Sequence, residues 1–88
     1  MMFSKKAQPP IRTLIGEGTV IQGEVRFTEG LRVDGEIRGD VVADESVSSV
    51  VVISENAKVH GRVKAAHVIV NGEVNGPVES FTLLELQP

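Results

Sequence analysis

Leu31-Arg32-Val33-Asp34-Gly35-Glu36-Ile37-Arg38-Gly39-Asp40-Val41 returns 37 residues later as Val68-Ile69-Val70-Asn71-Gly72-Glu73-Val74-Asn75-Gly76-Pro77-Val78, with five of 11 positions identical. An offset of 38 lays Ile15, Glu17, Ile21, Gly23 and Val25 on Ile53, Glu55, Val59, Gly61 and Val63, giving four identities and one Ile/Val exchange. The two halves are versions of one design. A period of this size reads as a stacked repeat, in which each unit buries its apolar face against the next.

Within each half a smaller module recurs, aliphatic-x-Gly-x-aliphatic, in Ile21-Gly23-Val25, Val33-Gly35-Ile37, Val59-Gly61-Val63 and Val70-Gly72-Val74. Polar and apolar residues alternate around it and the apolar set is mostly β-branched, which is strand periodicity. Glycine recurs about once per strand length, where a chain turns or backbones approach closely. No segment carries helical spacing. A repeat of 37 to 38 residues is too short for a sandwich, and it divides into two coils of roughly 18 to 19 residues with three short strands each. Apolar residues also step by six, in Ile15, Ile21, Phe27, Val33 and in Val41, Val47, Ile53, Val59. The expected fold is therefore all-β, a single-stranded parallel β-helix (solenoid) of roughly four coils between Leu14 and Leu86. Its coils should stack about 4.8 Å apart, with aliphatic columns inside and polar columns outside.

Composition narrows the function. With 88 residues the chain makes one small domain of thin stability margin, and it has no cysteine for disulfides, thiolate metal sites or redox chemistry. Cytoplasm is the expected compartment. The longest aliphatic run, Val50 to Ile53, falls far short of the ~20 residues of a spanning helix. Nine basic against 12 acidic residues and three aromatics (Phe3, Phe27, Phe81) argue against a nucleic-acid partner.

A stack of coils leaves unpaired backbone and an apolar plug at both ends, and no capping helix precedes Thr13 or follows Leu86. The segment Phe81-Thr82-Leu83-Leu84-Glu85-Leu86 is among the most apolar in the chain. A second copy is the expected cover, with Leu14, Ile15, Val20, Phe81, Leu83, Leu84 and Leu86 as the self-assembly surface. Pro9-Pro10 separates a tail, residues 1–12, from the domain at 13–88. In that tail Met2 and Phe3 beside Lys5 and Lys6 combine insertion into a lipid interface with attraction to anionic headgroups. Each lysine contributes about 1 kcal/mol, so one copy binds weakly and a polymer strongly.

Catalytic chemistry finds no constellation. His60 and His67 lie seven apart without metal-ligand spacing and are expected on surface strands or turns. Asp40, Asp44 and Glu45 lie at a coil corner with no calcium-binding repeat. Glu24, Glu36, Arg62 and Glu73 follow the module glycine, with Arg26, Arg38 and Lys64 two residues on, and are expected to line equivalent outer ladders. No cofactor, metal or active site is expected.

The run Leu14-Ile15-Gly16-Glu17-Gly18-Thr19-Val20-Ile21-Gln22-Gly23-Glu24-Val25-Arg26-Phe27, followed by Gly30 to Gly39, resembles the opening of a bactofilin domain, and Val59 to Ala66 and Val70 to Val74 resemble its middle coils. The resemblance implies a right-handed parallel β-helix that polymerises through its ends into non-polar filaments without nucleotide. It implies a bacterial cytoskeletal scaffold that positions cell-wall or other morphogenesis proteins, and the tail is similar to the membrane-targeting tail of some members. Such domains generally continue one or two coils past the equivalent of Leu86, so the resemblance implies a natural short form or a shortened chain. Two other readings stay open. One is a hexapeptide-repeat acyltransferase, which demands a strict hexad, whereas this one slips between Val33 and Val41. The other is a monomeric solenoid that binds one partner on a flat face.

Overall fold

The structure is a computed structural model that describes residues 10–86, without the side chains of Thr82, Leu83 and Glu85. Eleven strands follow one another: β1 (Ile11–Ile15), β2 (Val20–Gln22), β3 (Val25–Phe27), β4 (Glu29–Val33), β5 (Glu36–Arg38), β6 (Val41–Ala43), β7 (Ser49–Ile53), β8 (Lys58–Val59), β9 (Val63–Val70), β10 (Glu73–Val74) and β11 (Val78–Leu86). There is no helix among the described residues. Every strand pairing is parallel, so the chain winds as a β-solenoid of about four turns.

Three faces enclose the core. Face one stacks β1, β4, β7 and the later halves of β9 and β11, aligning Ile15, Val33, Ile53, Val70 and Leu86. Face two stacks β2, β5, β8 and β10, aligning Ile21, Ile37, Val59 and Val74. Face three stacks β3, β6 and the opening residues of β9 and β11, aligning Val25, Val41, Val63 and Val78. Leu31, Val33, Ile37, Val41, Val51, Ile53, Val59, Val63 and Val68 have no exposed surface. Burying a side chain of this size contributes about 1.5–3 kcal/mol, set against the cost of ordering the chain.

The coils are not uniform. On face three the steps from Val25 to Val41, Val63 and Val78 are 16, 22 and 15 residues, so two successive steps span 38 and then 37. The repeat visible in the sequence is thus two coils of unequal length, and the reason lies in the corners. From face one to face two the connections alternate: four residues (16–19), two (34–35), four (54–57), two (71–72). The longer ones are turns closed by Thr19 N–H donating to Gly16 O (3.1 Å) and Ala57 N–H to Ser54 O (2.9 Å). Between faces three and one the connection is the single residue Thr28, helped by a left-handed Glu29 (φ 66°), then five residues (44–48), and then none.

The structure departs from the pattern read in the sequence in four places. Val47, placed inside by the six-residue step, stands in the five-residue corner and is 43% exposed. Three short strands per coil hold only at first, because β9 and β11 run unbroken across two faces where no corner residues separate them. The glycine modules also serve two different corners. Gly23 and Gly61 lie between faces two and three, in a column with Gly39 and Gly76, whereas Gly35 and Gly72 fill the short corners between faces one and two. β1 begins at Ile11, inside the segment expected to be tail.

Candidate assembly surfaces

Both ends of the stack present unpaired edges. Among the described residues β1, β2 and β3 pair only with the strand above, and β10 and β11 only with the strand below. Among the described residues seven large hydrophobic side chains are strongly exposed, and six of them sit on these end rungs: Ile11, Leu14 and Val20 at one, Phe81, Leu84 and Leu86 at the other. Val47 is the exception. Apolar exposure therefore coincides with unsatisfied backbone, the combination that an end-to-end contact with a second copy would cover.

The two ends differ in kind. Leu84 continues the inward column above Val68, and Leu86 the column above Val70, so their exposures of 41% and 69% are those of inward core positions on the last described rung. At the other end Leu14 and Val20 occupy outward columns, where higher rungs carry Arg32 and Glu36. They form an apolar rim instead of a plug.

Ile15, expected on the contact surface, is only 6% exposed: its side chain faces inward beneath Val33 and joins the core cluster. Leu83 lies on β11, but its side chain is outside the described residues, as are Met2, Phe3, Lys5 and Lys6 of the tail. Ile11, 46% exposed, belongs to the first rung and was missed. The available signal was its β-branched side chain directly after Pro9-Pro10.

Much of the side surface of the solenoid is polar and internally paired. Residues two apart share a strand face, which brings Arg26 to Glu24 (2.6 Å), Arg32 to Asp34 (3.0 Å) and Arg38 to Glu36 (2.9 Å). Arg12 also pairs with Glu29 across the first two rungs. The four residues expected to be equivalent after the module glycine separate into two columns. Glu36 and Glu73 flank Lys58, whereas Glu24 and Arg62 lie at the corner that carries Asp40. Arg62 and Lys64 bear like charges and find other partners, Glu79 (3.5 Å) and Glu45 (2.9 Å).

Ser54 hydroxyl hydrogen bonding, then Arg32, holds the Asp34 carboxyl below the usual range. Arg38 does the same for Glu36. Ser46 N–H and hydroxyl donors lower Asp44. Glu45 raises Lys64.

The candidate chemical groups are dispersed. Asp40 accepts the Arg62 N–H (2.9 Å), Asp44 holds Ser46 and Glu45 holds Lys64, so the acidic cluster of the sequence becomes three separate contacts. His60 is on the surface as expected, between Glu36 (3.1 Å) and Asn75 (3.2 Å). His67 departs from expectation at 8% exposure, in register with Val50 on face one. Among the described residues no group of three His, Asp or Glu side chains could hold a metal ion, and no helix is long and apolar enough to cross a membrane.

A family model described as Bactofilin, polymer-forming cytoskeletal, matches residues 13–88. No curated protein and no solved structure matches the chain.

Proposed function

The chain belongs to the bactofilin family of polymer-forming cytoskeletal proteins, and from that premise we propose that it assembles end to end, through its two apolar terminal rungs, into filaments that need no nucleotide. The observation that carries this is the segregation of exposed hydrophobic residues to the two unpaired ends, against sides lined with ion pairs. Joining ends buries the apolar surface and pairs the free strand edges at once, with the strands running antiparallel across each junction of like ends. The filaments are non-polar, like end meeting like end. Their work is structural, without a catalytic centre: a scaffold that gathers cell-wall or other morphogenesis proteins along its sides.

The tail gives the scaffold a surface. Met2 and Phe3 insert at the inner face of the cytoplasmic membrane while Lys5 and Lys6 meet anionic headgroups, and many copies on one filament turn weak contacts into firm binding.

Negative-stain microscopy and sedimentation without nucleotide test the assembly. Filaments are expected from the unmutated chain and from Val47→Arg, which charges the exposed apolar residue away from the ends, but not from Leu84→Arg. A persistent monomer at micromolar concentration overturns the proposal. Liposome co-pelleting with and without residues 1–6 tests the tail, and unchanged binding after deletion overturns that part.

A further inference from the structure

Two asparagines precede glycine, Asn71-Gly72 and Asn75-Gly76, and both pairs stand at corners flanking β10. Glycine has no Cβ to shield its own main-chain nitrogen, so that nitrogen can reach the amide carbon of the asparagine before it. The backbones of the two sites are closely matched. Asn71 N–H donates to Ile53 O and Asn75 N–H to Val59 O, each at 2.8 Å. A Cβ on Gly72 would lie 2.2 Å from Ser54 O, and one on Gly76 the same distance from Gly61 O. Neither Gly72 N–H nor Gly76 N–H makes a hydrogen bond among the described residues, whereas Gly35 N–H, at the corner equivalent to Gly72, donates to Ile15 O (3.1 Å).

The amide side chains differ. Asn75 Nδ2 donates to Glu73 Oε2 (2.7 Å) and faces His60 Nδ1 (3.2 Å). Asn71 makes no side-chain hydrogen bond among the described residues and lines an open cleft with Asp34, Ser54 and Glu55. Exposure alone would rank the two sites the other way, because Asn75 is exposed and Asn71 half-buried. Cyclisation is intramolecular, however, so freedom of the amide outweighs exposure once solvent can reach it, and only Asn75 must first break a bond to a carboxylate.

We propose that Asn71 is a site of spontaneous deamidation in the folded chain, and that the isoaspartate formed there releases β10 from its register. The Gly72 nitrogen attacks Asn71 Cγ, solvent carries its proton to the departing amide, and ammonia leaves as a succinimide closes. One water then opens the ring to aspartate or isoaspartate, with no change of oxidation state. Aspartate reproduces the Asp34-Gly35-Glu36 corner of the first half, but without its cation, since Ile69 stands where Arg32 does. Isoaspartate inserts an extra main-chain carbon into a two-residue corner that is fixed on both sides, by Asn71 N–H to Ile53 O and by Glu73 N–H to Ala57 O (3.0 Å). Glu73 and Val74 then lose their alignment with Lys58 and Val59.

Peptide mass mapping of the full chain, aged at physiological pH and temperature, tests the site. Asn71 is expected to convert roughly fivefold faster than Asn75, the rate equivalent of one exposed, charge-assisted hydrogen bond. The preference should vanish in urea, where both are plain Asn-Gly pairs. Equal or faster conversion at Asn75 in the folded chain, conversion at neither site there, or a preference that persists in urea overturns the assignment. Glu73→Ala removes the acceptor and is expected to raise the Asn75 rate by a similar factor; an unchanged rate overturns the role given to that bond. Hydrogen exchange at the Glu73 amide reads the register. It is expected to quicken in the isoaspartate fraction and to stay slow in Asn71→Gln aged alongside, and equal exchange in the two overturns the register loss.

Discussion

At Gly61 the missing side chain is a packing requirement. A Cβ there would lie 2.3 Å from the main-chain oxygen of Gly39 in the coil below, and no rotamer change can relieve contact with backbone. Gly61→Ala is expected to cost about 2–3 kcal/mol in urea unfolding. At Gly16 a Cβ meets nothing within 4 Å, and the same substitution should change stability by under about 0.5 kcal/mol. In the sequence both are glycines closely following an aliphatic residue, Ile15 or Val59, and the neighbouring coil decides their difference in cost. Surface carboxylates make a smaller, pH-dependent contribution. The carboxyls of Asp34, Glu36 and Asp44 titrate lower folded than unfolded, so their stabilisation is present above the unfolded value and lost as pH falls through the folded one. The urea midpoint is expected to stay level from about pH 5 to 8 and to drop below about pH 4, less steeply in Asp34→Asn and in high salt.

The strand elements are short, and the corners set their register. Alternation of four-residue and two-residue corners, together with the five-residue corner 44–48 against the single Thr28, makes successive coils unequal, which is why self-similarity emerges at 37 and 38 residues and not at half that distance. A constant coil length would have satisfied the hexapeptide reading; steps of 16, 22 and 15 residues on one face do not. Strands and corners should therefore tolerate insertion very differently. One glycine added between Glu55 and Asn56 lengthens an exposed turn and is expected to cost under about 1 kcal/mol. The same glycine between Val51 and Val52 turns Ile53 from the core to the outside and breaks the register with both neighbouring coils. That variant should lose its cooperative thermal transition, as followed by circular dichroism. Alternation revealed these strands readily, but Val47 was misplaced because a six-residue step carries no information about a corner that swells to five residues.

For the molecule as a whole, the decisive asymmetry is between largely polar, self-paired sides and apolar, unpaired ends. Blocking one end leaves the other intact, so Leu84→Arg also reports how ends join. Like-to-like contacts stop at a dimer through the first rung, whereas unlike contacts stop at the monomer. Dimers are expected by sedimentation, and adding Leu14→Arg with Val20→Arg should reduce them to monomers without shifting the urea midpoint by more than about 0.5 kcal/mol, since both residues are exposed. The stacked parallel coils, the inward aliphatic columns and the apolar last strand were legible in the sequence by itself, because a two-residue alternation and an internal repeat are written directly in residue order. Three matters needed the tertiary structure: which exposed hydrophobics lie at an edge, that Ile15 is core while Leu14 beside it is rim, and that Glu36 and Glu24 belong to different columns. Each depends on what the neighbouring coil places beside a residue, and that neighbour is 15 to 22 positions away by a distance the corners alone decide.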